Sequence, residues 1–397
     1  MFNFIGNLIN LIRIDKTNTD NEVFRLHYKV TLVFMVAGSL LVTGREYFGN
    51  PIHCMPPGEE MMQDMVDAHC WIHSTYTLPG SVGKQVGNEV AYPGVENSAA
   101  ATRTSSSGSP IKNKVYQKYY QWVCFVLFFQ GVFFYLPRYV WKSLESGRMK
   151  SLTRSLSSPL MPPEEKKAEV QLLSSYIIAS LRKNDYYFYN YLTCEIMNLV
   201  NVLGQIYFMD AFLGGEFSSF GLDVLKRTQK DQDERDDPMI RVFPRMAKCI
   251  FRYFGSSGDV QKIDTICLLP QNVLNEKIYI FLWFWFMFMA IISSLVLVYR
   301  AASVMFVRVR LYVTSKRARM TDAHVLRCVI HSVGVSDWFL LHQISKNMDP
   351  INYNDLLIEV ARSIKSERSG NGKALLANKP NIESALGDTS IAYSDPL

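Results

Sequence analysis

Between Lys277 and Arg300 the chain carries 22 residues without one charge, IYIFLWFWFMFMAIISSLVLVY, from Ile278 to Tyr299. A helix of that length, rising about 1.5 Å per residue, crosses a bilayer core of about 30 Å. Lipid offers no water to an exposed N–H or C=O, so such a run must satisfy its own backbone as a helix. The basic residues at its ends can lift their charged heads to the headgroups. Whole-chain composition nearly hides this: 397 residues are 48% hydrophobic, with 42 Lys+Arg against 36 Asp+Glu, a formal +6. Spread evenly, such totals would suit two soluble domains. The apolar content excludes a disordered chain, seven cysteines are too sparse for a disulfide-only scaffold, and +6 makes no case for nucleic acid.

A second uncharged run, YYQWVCFVLFFQGVFFYLP, covers Tyr119 to Pro137 between Lys118 and Arg138. Pro137 falls near its end, where a missing backbone bond costs least. The run VTLVFMVAGSLLVTG, Val30 to Gly44, is shorter and reaches spanning length if Tyr28 and Lys29 extend it. Its rival is a signal peptide with Ala37 and Ser39 near the cleavage site, which the long polar leader disfavours. A fourth span, Leu192 to Leu213, contains Glu195 and Asp210. Glu195, Asn198, Asn201 and Gln205 recur at helical spacing, so this span carries a polar stripe. The stripe must be covered, either by packed helices or by an aqueous cavity.

Four spans put both termini on one side. Basic residues beside the span ends favour that side by about two to one, with Lys142, Arg148, Lys150, Arg154, Arg308, Arg310, Lys316, Arg317 and Arg319 prominent, so the termini are expected in the cytoplasm. The predicted organisation is an N-terminal segment 1–28, spans at 29–44, 119–141, 192–213 and 278–305, outside loops 45–118 and 214–277, an inner loop 142–191, and an inner C-terminal region 306–397 ending in a disordered tail. Cys54 and Cys70 fall in the first outside loop and Cys249 and Cys267 in the second. In an oxidising compartment these read as two disulfides, with three connectivities open. The tract NSAAATRTSSSGSP, Asn97 to Pro110, is too small and polar to bury a core and reads as a flexible insert. Inside, Val170, Leu173, Ile177 and Leu181 recur at helical spacing after Pro162-Pro163, and residues 317–364 form a second helical portion. Arg308 to Arg319 reads as a topology signal or as a contact to anionic membrane lipids.

Signatures of catalysis are missing: the chain has no G-x-S-x-G, H-E-x-x-H, G-x-x-x-x-G-K-[ST] or G-x-G-x-x-G. His69 and His73 lack a carboxylate at motif spacing and read as surface or packed residues. No enzyme, cofactor or metal site is expected. The absence of N-x-[ST] sequons leaves an outer face compatible with docking against protein. At the amino terminus Phe2, Ile5, Ile9 and Ile12 share one helical side and Asn3, Asn7 and Asn10 another, the pattern of an amphipathic helix that lies on a membrane or folds into a pore.

YYQWV, residues Tyr119, Tyr120, Gln121, Trp122 and Val123, resembles the signature that opens the second span of the innexins, the invertebrate gap-junction proteins. DNEVFRLHYK, GNPIHC, CWIHSTYTLPG, GQIYFMDAFLGGEFSSFGLDVL, DPMIRVFPRMAKC and LLPQNVLNEKIYIFLWFWF also look like innexin segments, and the likeness covers roughly residues 1–360, with the insect branch favoured. The resemblance implies a mainly α fold: four transmembrane helices, disulfide-linked extracellular loops and a helical cytoplasmic domain, assembled as a large-pore channel. About eight subunits would close a ring, alone or with other innexins, and dock with the hemichannel of an adjacent cell. It further implies the pairs Cys54 with Cys267 and Cys70 with Cys249, and an amino-terminal funnel in which Phe2, Asn3 and Ile5 line the pore. The expected function is the passage of ions and small metabolites between cells. The alternatives are an undocked hemichannel that releases small molecules such as ATP, and a poreless four-span adhesion protein.

Overall fold

A computed structural model describes residues 17–55, 63–81, 84, 88, 90, 92–96, 114–156, 162–227 and 238–377. In chain order the elements are α1 (Glu22–Phe48), β1 (His53–Met55), α2 (Gln63–His73), β2 (Thr75–Thr77), β3 (Val115–Gln117), α3 (Val123–Glu145), α4 (Arg148–Thr153), α5 (Pro163–Ala179), α6 (Asp185–Phe212), α7 (Phe217–Arg227), α8 (Pro238–Val242), β4 (Met246–Phe254), β5 (Val260–Leu268), α9 (Pro270–Met305), α10 (Val307–Arg317), α11 (Ala323–Ser332), α12 (Val335–Asn347) and α13 (Pro350–Ala377). Two compact units result. One holds residues 20–144 and 191–299, the other residues 145–190 and those from 300 onward, with a short strip before residue 20.

In the first unit α1, α3 and α9 are each long and apolar enough to cross a membrane. The third crossing in chain order is α6, which passes that test only together with α7, across a bend of 83°. The bend falls at Gly214 and Gly215, with φ of 73° and 88°, where a side chain would strain the backbone. The helices share one core in which Met35 and Val42 of α1, Leu127 and Phe134 of α3, Val202 and Met209 of α6, and Trp283 and Phe286 of α9 are buried. Gly131 lets α1 and α3 approach, since an added Cβ would stand 3.2 Å from Met35. The opposite faces are also apolar, with Phe125, Phe128, Phe129 and Val132 exposed on α3 and Ile291, Leu295 and Val298 on α9. A helix that is apolar all round in this way is solvated by lipid or by other helices.

The same unit carries a five-stranded antiparallel sheet in the order β1-β5-β4-β2-β3. β4 and β5 form a hairpin paired from Met246↔Leu268 to Phe254↔Val260. Strands β1, β2 and β3 have only three residues each, so their alternation is too brief to identify from sequence.

The second unit is helical. α12 is buried along most of its length, including Trp338, Phe339, Leu340, Leu341 and Ile344. α5 starts at Pro163 as the Pro162-Pro163 pair predicts, and Val170, Leu173 and Ile177 are its buried apolar positions, whereas Leu181 lies beyond its end. α13 continues to Ala377, ten residues into the last thirty, which the sequence reads as a disordered tail. Two of the buried polar groups here are paired across elements: Asp337 accepts from the Arg182 N–H (3.0 Å) and from Asn184 Nδ2 (2.8 Å), and Trp338 Nε1 donates to Thr314 Oγ1 (2.9 Å). The bond to Asp337 holds Arg182 at φ 63°, a left-handed conformation uncommon for a residue with a side chain.

Candidate functional site

The two long loops that separate the spans are joined into a single body. Cys54 of β1 stands directly opposite Cys267 of β5, and a disulfide bridges them with Cα atoms 3.9 Å apart. A second disulfide links Cys70 of α2 to Cys249 of β4, Cα to Cα 5.9 Å. These are the pairs that the resemblance implies. Among the described residues the core they occupy is small: Ile52, Val66, Ala247, Phe251 and Leu269 are the other buried apolar residues clustered with the four cysteines. A core of that size cannot by itself offset the entropy of ordering two long loops, so covalent links carry much of the constraint. Asp67 adds a polar fastener, accepting the Cys54 N–H at 2.6 Å, and burial pushes its carboxyl above the usual carboxylate range.

The YYQWV segment attaches this body to the second span. Tyr120 is buried, its ring 4.7 Å from that of Trp71, and its hydroxyl accepts the Thr75 N–H at 3.3 Å. Gln121 Nε2 donates to the carbonyls of Trp71 and Ile72, capping the end of α2 just beyond Cys70. Tyr119 turns to the helices, edge-on to Phe212 and Phe243, while Val123 enters the helical core and Trp122 remains exposed. Three consecutive side chains thus tie α2, the sheet and the head of α3 together. That division of labour needs two tyrosines and an amide in a row.

A polar collar at the start of α9 performs the same task for the fourth span, and sequence reasoning did not single it out. Gln271, Asn272, Asn275 and Glu276 are all fully buried. Asn272 Nδ2 donates to the Pro244 carbonyl at 2.7 Å and Gln271 Nε2 to the Val42 carbonyl at 3.4 Å. Glu276 receives two bonds from Arg245, at 2.8 and 3.1 Å, and one from Lys277 at 2.9 Å. The available signal was PQNVLNEK itself, a run of amides and one acid immediately before an uncharged span. Such groups can enter a helix core only if each finds a partner.

At the amino-terminal end of α1, Asp20 pairs with Arg25 (3.3 Å) and with Arg138 (3.1 Å), whose guanidinium lies 5.0 Å over the Tyr28 ring. Asn21 caps α1 by accepting the Phe24 N–H at 2.6 Å and donates to Glu195 at 2.8 Å. One end of the polar stripe on α6 is therefore covered by a packed helix. A π-helical turn, Leu26–Thr31, follows; there His27 Nε2 lies 2.8 Å from Ser293 Oγ, and Trp285 Nε1 donates to Thr31 at 2.8 Å. His69 and His73 lie side by side on α2 with tilted rings, centroids 4.4 Å apart, and partial burial and the charge of His73 lower the His69 pKa. Cys124 and Cys194 are buried thiols, and Cys328 is partly exposed. Phe2, Asn3 and Ile5, read from sequence as pore-lining, and the tract 97–110 lie outside the described residues.

Four crossings, with two loops stitched by disulfides into one sheet, define a polytopic membrane protein built to present a rigid face beyond the bilayer. The sequence profile of the Innexin family matches residues 20–364. Similar proteins include innexin inx2 of Drosophila melanogaster, 44% identical over 370 residues, 92% of this chain and 97% of the relative. Innexin inx2 of Schistocerca americana is 43% identical over 368 residues, with 92% and 99% covered, and innexin shaking-B of Drosophila melanogaster is 41% identical over 364 residues, with 92% and 95% covered. The chain belongs to the innexin family. It is a multi-pass plasma-membrane protein and a gap-junction channel subunit, not an enzyme.

Proposed function

We propose that this chain closes a ring of about eight copies around a wide pore, alone or with other innexins, and that two such rings dock across the intercellular gap. Both termini lie in the cytoplasm, the four-cysteine sheet lies outside, and the spans occupy residues 29–44, 119–141, 192–213 and 278–305. Phe2, Asn3 and Ile5 of the amino-terminal segment line the constriction through which ions and small metabolites pass. The observation that carries the docking claim is the covalent union of both loops in one sheet, from which the β4–β5 hairpin extends with Phe254 and Val260 exposed near its tip. A face already ordered before contact loses little entropy when it meets its partner. The bias of basic residues toward the termini side supports the orientation.

The test is a charge placed on the hairpin. Phe254→Asp is expected to abolish junctional current between paired cells while surface delivery and single-cell conductance persist. Undiminished junctional current would overturn the docking role. Membrane-impermeant labelling of terminal tags in intact cells tests the orientation, and native mass measurement of the purified particle tests the subunit number.

A further inference from the structure

Between α3 and α6, within the membrane-spanning unit, lies a cleft of about 590 Å³. Its walls are Trp122, Phe125, Phe129, Phe133 and Phe208, and its polar points are Gln130, Asn201 and Gln205. Gln130 is only 2% exposed, and both its amide oxygen and its amide nitrogen lack a hydrogen-bond partner. The Asn201 amide nitrogen is likewise buried without a partner, although its oxygen accepts from Gln205 Nε2 at 3.4 Å. This is the second half of the polar stripe on α6, the half that α1 does not cover. An amide left unpaired at membrane depth is costly, so a donor and an acceptor from outside these helices belong here.

The lining narrows the chemistry of that group. No Asp, Glu, Lys or Arg faces the cleft, which disfavours an ionised headgroup. Aromatic rings on both walls suit a flat apolar body, and a cleft of this volume with a few convergent polar groups has the form of a small-molecule site. The floor is open at Gly204, where an added Cβ would meet nothing within 4 Å. A hydroxyl is both donor and acceptor and so matches Gln130, which offers one of each. We propose that this cleft binds a neutral hydroxyl-bearing lipid, a sterol, with its hydroxyl on Gln130 and its rings between Phe129, Phe133 and Phe208.

The experiment uses the full chain in nanodiscs with a photoactivatable, alkyne-bearing cholesterol analogue. Labelling is expected within residues 122–133 and 201–208. Cholesterol should compete, and cholestane, which lacks the hydroxyl, should not. Gln130→Leu removes the polar contact without breaking any bond of the protein and should weaken labelling about tenfold. Gly204→Leu fills the floor and should abolish it, with the thermal transition of both variants kept. Labelling elsewhere, labelling unchanged in both variants, or equal competition by cholestane would overturn the proposal. So would a photoreactive benzoylphenylalanine at position 129 that captures a neighbouring subunit, because that subunit would then fill the cleft.

Discussion

The sheet between the spans and the helical unit formed by α4, α5 and α10 to α13 solve the same problem by opposite means. Among the described residues, five apolar side chains cluster with the four cysteines of the sheet, which is held by two covalent bonds and a backbone ladder. No disulfide is present among the described residues of the helical unit, which instead buries α12 and ties Asp337 and Trp338 to other elements by hydrogen bonds. The difference teaches where stability resides when loops are long and their apolar content is low: the constraint moves from packing to cross-links.

That contrast can be broken most severely at the cysteines. Cys54→Ser, Cys70→Ser, Cys249→Ser or Cys267→Ser should each cost about 2–5 kcal/mol locally and eliminate junctional coupling. Hydrogen exchange should localise the loss to residues 246–268 and leave α11 to α13 protected. In the helical unit the corresponding weak point is Asp337. Asp337→Ala leaves the Arg182 N–H unpaired and removes one of the bonds of Asn184 Nδ2, which keeps its donation to the Ser180 carbonyl at 3.1 Å, and should cost about 1–3 kcal/mol, read as faster exchange in α12 with the sheet unchanged. Cys328→Ser, by contrast, should leave both regions as they are.

Acid sharpens the comparison further. Burial, followed by the charges of Lys346, Arg300 and Arg317, lowers the His342 pKa from 6.5 to about 3. The folded unit therefore holds this imidazole neutral, and the unfolded chain binds the extra proton between those two pH values. Its contribution is fully present above pH 6.5 and is lost as the pH falls toward 3, at no more than about 1.4 kcal/mol per pH unit. A pH series of exchange rates should show this slope in α12, and His342→Gln should flatten it. A small gain is expected at Arg182: Arg182→Gly relieves the left-handed backbone at φ 63° and should be neutral to slightly stabilising, by less than about 1 kcal/mol. A destabilisation of several kcal/mol would assign the Arg182 side chain a structural role of its own.

The legible parts of the chain were those with a long, unmixed signal. Ile278 to Tyr299 could be nothing but a span, and α9 contains it whole. The helix of Val170, Leu173 and Ile177 was readable because period and Pro start agreed. The third crossing was harder, since its polar stripe lowers its hydropathy and its exit bends at two glycines into α7. α1 outruns its hydropathic stretch at both ends because Asn21 caps it seven residues before Tyr28 and the helix continues to Phe48. β1, β2 and β3 left too little alternation to read, and the nine-residue β4 and β5 do not bury every second residue, so the sheet was invisible although its cysteines were not. The collar of Gln271, Asn272, Asn275 and Glu276 was missed for a related reason: buried polar groups become intelligible only when their partners, here Val42, Pro244 and Arg245, are brought near by the fold.

The most direct test of the account is junctional conductance between paired cells expressing only this chain, recorded with single-cell conductance and surface delivery, for the native protein and for Cys54→Ser and Cys70→Ser. Current across the native junction that disappears in both variants is the predicted result. Full junctional current in either variant, or none in the native pair, would contradict the claim that a disulfide-locked sheet joins this channel to its counterpart in the next cell.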